Sequence, residues 1–159
     1  MLTLVLVRHG EAGYGDGEDF ERRLTARGKN QALNASLLLK GWGVSPVIFI
    51  ASDAVRAKET AQIMAEQVSE RKAIVYEHFL YEAYTTDELL GCLSQKAQGS
   101  KTVALVAHNP DITYKASNLA AEALPCSFPT AGLLVLQFED DDWANVSARS
   151  GRIAYSSFL

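Results

Sequence analysis

Short apolar runs alternate with helix-like patterns along this chain, and that alternation limits the folds open to it. Residues 4–7, 47–50 and 102–107 are runs of the kind found in strands buried on both faces. Between them, apolar residues recur every three or four positions, as in amphipathic helices. The pattern predicts an α/β fold. We expect a three-layer sandwich: a mostly parallel sheet, helices on both faces and an antiparallel edge.

The first predicted helix begins after Thr25, whose side chain can cap it, and stops at Gly41. Its buried stripe is expected to consist of Leu33, Leu37 and Leu38. The second helix follows the strand at 47–50 and has Asp53 as its predicted N-cap. Its apolar face is the most regular in the chain and comprises Ala57, Thr60, Ala61, Met64, Ala65 and Val68.

The second half of the chain continues the alternation. Residues 74–81 predict a strand that includes His78, which we interpret as structural, and Thr85 with Glu88 resembles a capping box. Asn109 can cap a further helix that has Pro110 at its first position. Residues 133–138 and 153–155 predict late strands, and the acidic run 139–142 between them indicates a solvated turn.

Length and composition narrow the class of protein. The 159 residues fit one domain spanning 1–159, which we expect to be a monomer. No apolar run approaches the ~20 residues that cross a bilayer, and no secretory signal is evident, so we expect a cytoplasmic protein without a membrane partner. The net charge of -4 disfavours a nucleic-acid partner. Cys92 and Cys126 have no metal-ligand spacing and are expected to be reduced thiols.

Basic side chains follow three of the apolar runs. Arg8 and His9 come after the first, Arg56 lies in the first helical turn after the second, and His108 follows the run at 102–107. Because ligands bind at the carboxyl ends of parallel strands, we expect these four to converge. Taken alone, Arg56 could be a surface charge and His108 a core histidine. Together, two guanidinium groups and two imidazoles predict a site for a phosphoryl group.

Three ordered segments resemble the histidine phosphatase superfamily, also called phosphoglycerate-mutase-like: residues 8–11 (RHGE), 52–60 (SDAVRAKET) and 107–110 (AHNP). Residues 22–25 (RRLT) before Gly28, together with 80–81 (LY) and 128–131 (FPTA), look like its small SixA-type phosphohistidine phosphatase branch. The chain departs from the usual pattern at Asp53, Arg23, Ala107 and Asp111. These departures affect loop shape and leave the residues needed for chemistry in place.

The resemblance implies a phosphatase in which His9 accepts the phosphoryl group and then passes it to water. Arg8, Arg56 and His108 would stabilise the charge on the phosphoryl oxygens without a metal or other cofactor. Such chemistry requires a neutral His9 with one ring nitrogen free. The other ring nitrogen should therefore donate to a fixed acceptor, such as a backbone carbonyl.

Further site residues follow from the same resemblance. Arg22 is either another phosphate contact or a surface ion-pair partner, and Gly10 and Asn109 are candidate substrate-binding residues. Glu82 lies at about the position of the superfamily's proton donor, with Glu11 as the alternative. No acid at all is also possible, because an imidazole leaving group needs less proton donation than an alkoxide.

The expected substrate is phosphohistidine on a protein, since the chain lacks the length for a large lid and an open site suits a phosphorylated side chain. One alternative is a phosphatase of small phosphoesters from the same superfamily. Another is a phosphate-binding module that no longer turns over. A metal-dependent hydrolase with His9, Glu11 and His108 as ligands is disfavoured because the flanking arginines would oppose a cation.

Overall fold

The computed structural model describes residues 1–69, 73–97 and 99–159. Within them, one six-stranded sheet has the order β3-β2-β4-β1-β5-β6. The strands are β1 (Leu2–Arg8), β2 (Ile48–Ala51), β3 (Ala73–Tyr76), β4 (Thr102–Ala107), β5 (Leu133–Phe138) and β6 (Arg152–Ser156). The first four run parallel, whereas β5 and β6 form an antiparallel edge. The predicted α/β class and antiparallel edge are confirmed.

In the described part of the chain, four α-helices cover the sheet on both faces. They are α1 (Ala26–Trp42), α2 (Val55–Val68), α3 (Thr86–Lys96) and α4 (Asp111–Leu119). Alternate side chains of β1 divide the core: Leu4 and Leu6 pack with α3 and α4 on one face, and Val5 and Val7 pack with α1 and α2 on the other. Within the described ranges, no helix combines the length and apolar character required to cross a bilayer.

The predicted stripe of α1 is wrong. Leu33, Leu37 and Leu38 are 37%, 54% and 42% exposed. The buried face consists instead of Gly28, Ala32, Ala35, Ser36 and Leu39. Small side chains on this face let α1 pack closely against the alanine-rich face of α2, which a row of leucines would prevent. The helix also runs one residue past Gly41, to Trp42, and ends with Gly43 in the left-handed conformation.

Two predicted helix caps are also wrong, while Thr25 and Thr85 cap α1 and α3 as expected. Asp53 lies 2.9 Å from His78 Nδ1 and does not cap α2. Asn109 donates from its side-chain amide to the Phe128 carbonyl, and α4 begins at Asp111 with Pro110 as the uncapped N-cap residue. In both cases the side chain that the local pattern predicts as a helix cap forms a hydrogen bond with a residue distant in sequence instead.

The strand predicted over 74–81 is shorter than expected. β3 ends at Tyr76, and a short 3-10 helix, His78–Leu80, turns the chain away from the sheet. His78 is therefore exposed at a turn and not on a strand face.

Between β5 and β6, Asp142 caps another short helical turn, while Asp141 pairs with the N-terminal ammonium group.

Three neighbouring parallel strands end at the same level of the sheet. Arg8 on β1 pairs in register with Ala107 on β4, and Ala51 on β2 pairs with Val106. The residues that follow these strands therefore lie side by side. This register places His9, Ser52 and His108 at one edge of the sheet, where ligands of such folds bind.

Gly28 makes the turn after β1 possible. A Cβ atom on Gly28 would lie 2.0 Å from the Glu11 carbonyl oxygen, so the first turn of α1 and the segment after β1 meet backbone to backbone. We expect Gly28→Ala to lower the free energy of unfolding by about 1–3 kcal/mol, because the turn must move to admit the methyl group.

Gly41 in the same helix is the matched control. A Cβ there would meet nothing within 4 Å, so Gly41→Ala should raise the free energy of unfolding by about 0.5–1 kcal/mol. Urea denaturation of both variants measures the two effects. Equal, small changes for the two alanines would contradict the backbone contact at Gly28.

Candidate active site

His9 is the centre of a polar pocket at the carboxyl ends of β1, β2 and β4. The side chain is buried, and its Nδ1 lies 2.7 Å from the Gly10 carbonyl oxygen. Because a carbonyl can only accept, Nδ1 carries the proton and Nε2 keeps its lone pair. The backbone N–H of Gly10 donates to Thr60 Oγ1 on α2, which fixes the segment that follows the strand.

Arg56 reaches His9 from the first turn of α2. Its Nε donates to His9 Nε2 at 3.3 Å, and its two terminal nitrogens donate to Asp19, one to the backbone carbonyl and one to Oδ2. The residue is 6% exposed. Arg56 is therefore no surface charge: it joins the free nitrogen of His9 to a carboxylate across the pocket.

His108 packs beside His9, with the ring centroids 5.1 Å apart. Its Nε2 lies 2.8 Å from Ser52 Oγ, which already accepts the backbone N–H of Ala54. A Ser52 hydroxyl that donates to Nε2 would leave the proton of the neutral ring on Nδ1. Within the described residues, this Nδ1 is buried without a hydrogen-bond partner.

Arg8 comes into the pocket from the end of β1. One terminal nitrogen donates to the Phe128 carbonyl at 2.9 Å, the same oxygen that accepts from Asn109. Its Nε is buried and has no partner in the part of the chain that the structure describes. Burial lowers the pKa of this guanidinium from its ordinary value.

A cavity of about 430 Å³ surrounds His9, and its lining among the described residues is Arg8, His9, Glu11, Ala12, Tyr14, Asp19, Arg22, Arg56, His108, Asn109 and Thr130. The structure thus brings together the two arginines and two histidines that the sequence analysis selected. Arg22 lines the cavity and pairs with Asp19 at 3.1 Å, with 19% of its side chain exposed, and its contact with phosphate stays a prediction. Gly10 lies behind the lining, against Gly28 and Thr60.

Glu82, the candidate proton donor, is not among the lining residues. Its carboxylate is 67% exposed and lies 3.3 Å from His78 Nε2, on the outer side of the turn. Glu11 does line the cavity, where its carboxylate accepts from the Thr25 hydroxyl at 3.3 Å. Of the two carboxylates expected as acids, Glu11 lines the cavity and Glu82 does not.

Sequence reasoning missed Asp19 and Tyr81. Asp19 lies in the loop between β1 and α1, and its carboxylate binds Arg22, Arg56 and the Tyr81 hydroxyl. The Tyr81 ring packs edge-on against His108, with centroids 5.6 Å apart. In the sequence Tyr81 belongs to the LY segment of the family resemblance and has no other signal, and no periodic pattern distinguishes Asp19 from its acidic neighbours.

Both pocket histidines are held neutral. Burial, followed by the charges of Arg56, Arg8 and Arg22, lowers the pKa of His9 to about 4, although its bond to Gly10 works in the opposite direction. Burial and the neighbouring His9 lower the pKa of His108 to about 3. At pH 7 each ring therefore offers one donor and one acceptor nitrogen.

These shifts make the stability of the fold depend on pH. In the unfolded chain both imidazoles titrate near 6.5, so between pH 6.5 and about 4 the unfolded state binds more protons. We expect the free energy of unfolding to fall over this window as pH falls, by up to about 3 kcal/mol for each histidine. Urea denaturation at pH 7, 6, 5 and 4 measures this, and His9→Gln should flatten the slope. An unchanged slope in that variant would contradict a buried neutral His9.

The pocket does not have the side-chain grouping of a metal site in the described residues. Among residues 1–69, 73–97 and 99–159, no three His, Cys, Asp or Glu side chains are grouped as a metal site requires. His9, Glu11 and His108, the set considered from sequence, face a pocket that also contains three arginines. This charge arrangement suits an anion.

A family model described as histidine phosphatase superfamily (branch 1) matches residues 4–88, more than half of the chain. The chain belongs to this superfamily. The resemblance proposed from the RHGE, SDAVRAKET and AHNP segments is thereby confirmed, and the protein is a phosphatase of the histidine phosphatase superfamily.

Two curated relatives are similar to different fractions of this chain. An uncharacterized chloroplastic protein of Arabidopsis thaliana is 28% identical over 160 residues, covering 93% of this chain and 72% of its own length. The mitochondrial serine/threonine-protein phosphatase Pgam5 of Drosophila virilis is 41% identical over 71 residues, which cover 44% of this chain and 24% of that protein. The names of these two relatives place them in a chloroplast and a mitochondrion. The cytoplasmic location expected from the sequence therefore stays a prediction.

Solved structures give the same fold. The protein histidine phosphatase SixA complexed with tungstate superposes with a TM-score of 0.82 at 19% identity, over 98% of this chain and 96% of that chain. A candidate phosphohistidine phosphatase SixA from Agrobacterium tumefaciens superposes with a TM-score of 0.73 at 27% identity, over 86% of this chain and 91% of its own. The chain is therefore SixA-like in structure.

Proposed function

We propose that this phosphatase works through a covalent phosphohistidine at His9 and that its substrate is phosphohistidine on a protein. The observation that carries the proposal is the state of His9: Nδ1 is tied to the Gly10 carbonyl, and the unprotonated Nε2 accepts from Arg56 Nε in a cavity that His9 and three arginines line. A nucleophilic imidazole needs this fixed tautomer. Transfer forms a bond from Nε2 to phosphorus and breaks the bond to the leaving group.

The donors around His9 support the phosphoryl group as ligand. Arg8 Nε and His108 Nδ1 are buried polar atoms without protein partners in the described residues, and such atoms are costly. Phosphoryl oxygens lodged between these side chains would accept from them and from Arg56. Because the donors are already oriented, they stabilise the charge spread over three oxygens without reorganisation.

The leaving group supports phosphohistidine over an alkyl phosphoester. Expulsion of an alkoxide needs a proton donor; Glu82 lies outside the cavity lining, so Glu11 would have to supply the proton. A protonated phosphoimidazole leaves as neutral imidazole and needs no such donor. The likeness to the SixA candidate from A. tumefaciens agrees with this assignment.

Phosphoserine or phosphothreonine on a protein is the second candidate substrate. It is favoured by the match to the serine/threonine-protein phosphatase Pgam5, which is 41% identical over 71 residues. Glu11 would then be the acid, since its carboxylate lines the cavity. This alternative keeps the same nucleophile and changes only the leaving group.

A substrate panel tests the proposal. Purified protein is incubated with a phosphohistidine peptide, a phosphoserine peptide and small sugar phosphates, with and without a strong chelator, and phosphate release is measured. We expect the phosphohistidine peptide to give the highest kcat/KM and the chelator to have no effect. Preference for phosphoserine or sugar phosphate would overturn the substrate assignment, and activity restored only by a divalent metal would overturn the metal-free mechanism.

A further inference from the structure

Asp19 is fixed at the rim of the cavity by three side chains. Its Oδ2 accepts from the Tyr81 hydroxyl at 2.7 Å and from Arg56 at 3.1 Å, while Oδ1 accepts from Arg22 at 3.1 Å. Its backbone carbonyl also accepts from Arg56, at 2.7 Å. The carboxylate is nevertheless 54% exposed, so an approaching substrate can contact it.

These contacts make Asp19 an acceptor and not an acid. The Tyr81 hydroxyl, followed by the two arginines, holds the pKa of Asp19 well below its ordinary value. At neutral pH the carboxylate is ionised and has no proton to give to a leaving group. It can accept an N–H or O–H from whatever is attached to the phosphoryl group.

We propose that Asp19 is a specificity-determining residue that accepts the distal N–H of the substrate imidazole while the phosphoryl group occupies the arginine and histidine cradle. The inference rests on the proposed function and adds to it the residue that distinguishes phosphohistidine from phosphoesters. A serine or threonine oxygen bonded to phosphorus presents no second polar atom of this kind to the carboxylate.

The position of Asp19 relative to His9 fits this role. One guanidinium, that of Arg56, donates to both His9 Nε2 and Asp19 Oδ2, at 3.3 and 3.1 Å. The Arg56 guanidinium group therefore lies between the Asp19 carboxylate and the nucleophilic nitrogen and is hydrogen-bonded to both. In an in-line transfer the leaving nitrogen lies on the side of phosphorus opposite His9, and the second ring nitrogen lies farther out, toward the rim.

Aromatic rings pack beside Asp19 and His108. Tyr81 packs edge-on against Phe20, with centroids 5.0 Å apart, and against His108, with centroids 5.6 Å apart. The ring that binds Asp19 therefore also contacts a histidine that lines the cavity. Contact with such a ring would favour a flat imidazole over a flexible alkyl chain.

The transfer balances without an outside proton. The substrate enters as a phosphoimidazolium whose distal N–H is bound by Asp19. The Nε2 lone pair of His9 exchanges its hydrogen bond from Arg56 Nε for the bond to phosphorus, and the electron pair of the breaking bond goes to the leaving nitrogen. The leaving ring departs as neutral imidazole and keeps its distal proton, while His9 becomes the phosphoimidazolium with its Nδ1–H on the Gly10 carbonyl.

The positively charged imidazole ring is therefore stabilised by an acceptor both before and after the transfer. Before transfer, a carboxylate stabilises the charged ring of the substrate; after it, the Gly10 carbonyl stabilises the charged ring of His9. Removing the negative charge of Asp19 should lower the fraction of substrate that is protonated in the site, because that charge raises the pKa of the distal nitrogen.

The test compares Asp19→Asn with Asp16→Asn, which removes a charge from an exposed position on the same loop. Each protein is assayed with a phosphohistidine peptide and with p-nitrophenyl phosphate, whose leaving group needs no proton. We expect Asp19→Asn to lower kcat/KM for phosphohistidine by about 10- to 100-fold, at least tenfold more than for p-nitrophenyl phosphate. The descending limb of the pH profile should move to lower pH with phosphohistidine only. Asp16→Asn should behave as the unchanged protein.

Other outcomes separate the possible failures. Equal losses with both substrates would overturn the inference and make Asp19 a positioning residue for Arg56. A gain with both, accompanied by tighter inhibition by inorganic phosphate, would overturn it in favour of a carboxylate that competes with the phosphoryl group. If the unchanged protein hydrolyses p-nitrophenyl phosphate but not the phosphohistidine peptide, the proposed function itself fails. Tyr81→Phe, which removes one bond to Asp19, should give a smaller loss in the same direction.

Discussion

His9→Ala is expected to lower kcat by about 10⁴-fold or more and to abolish the phosphorylated form of the enzyme. The reason is the role assigned to Nε2, the atom that would bond to phosphorus. Removal of a nucleophile eliminates the covalent route, and only the oriented donors remain to assist direct attack by water. Arg8, Arg56 and His108 stay in place, so substrate binding should persist with a KM within about tenfold.

The measurement is rapid quenching with ³²P-labelled substrate, followed by denaturing electrophoresis under alkaline and acidic conditions. Phosphohistidine survives alkali and is lost in acid, so label with that stability should appear in the unchanged protein and disappear in His9→Ala. His78→Ala is the matched control, because His78 is 56% exposed and bound to Asp53 and Glu82 outside the cavity lining. Label that persists in His9→Ala would contradict the assignment of the nucleophile.

The positions of the strand-end residues could be predicted from sequence because each depends on a local pattern. Apolar runs too short for helices predict buried strands, and parallel strands end at one edge of the sheet. Arg8, His9 and His108 follow such runs directly, so their convergence required no knowledge of packing. Arg56 follows within one helical turn, which limits how far it can lie from the same edge.

Asp19 could not be predicted in this way. The loop that contains it also carries Asp16, Glu18 and Glu21, and no periodicity or cap distinguishes one acidic residue from another. What selects Asp19 is a contact with Tyr81, 62 residues later in the chain, together with the two arginines. Contacts of this kind depend on the folded path of an irregular loop, and local propensity carries no information about them.

The error in α1 has a related cause. Its sequence allows two overlapping faces, one with Leu33 and Leu37 and one with Ala32, Ala35 and Leu39. Hydrophobicity alone favours the first, because leucine gains more from burial than alanine. The structure uses the second because α1 lies against α2, and two helices with small residues at their contact can approach closely. Which face is buried was therefore decided by the neighbouring helix.

The remaining large effect is expected for Arg56. Arg56→Ala should raise the activation free energy by about 3 kcal/mol, which corresponds to a loss in kcat/KM of roughly 100- to 1000-fold. Arg56→Lys should recover little of it, because Arg56 donates from three separate nitrogens, to His9 Nε2, the Asp19 carbonyl and Asp19 Oδ2. A single ammonium group cannot reproduce that geometry.

The pH dependence of Arg56→Ala separates a direct role from general damage. Arg56 is one of the charges that hold the pKa of His9 at about 4, and only neutral His9 is nucleophilic. Activity should therefore fall as pH drops through about 4 in the unchanged protein. In Arg56→Ala this acid limb should move to higher pH, since the neutral form is less favoured. Arg23→Ala is the control, because Arg23 is 74% exposed and pairs with Glu59. A loss below tenfold with an unmoved acid limb would show that Arg56 does not act on the phosphoryl group or on His9.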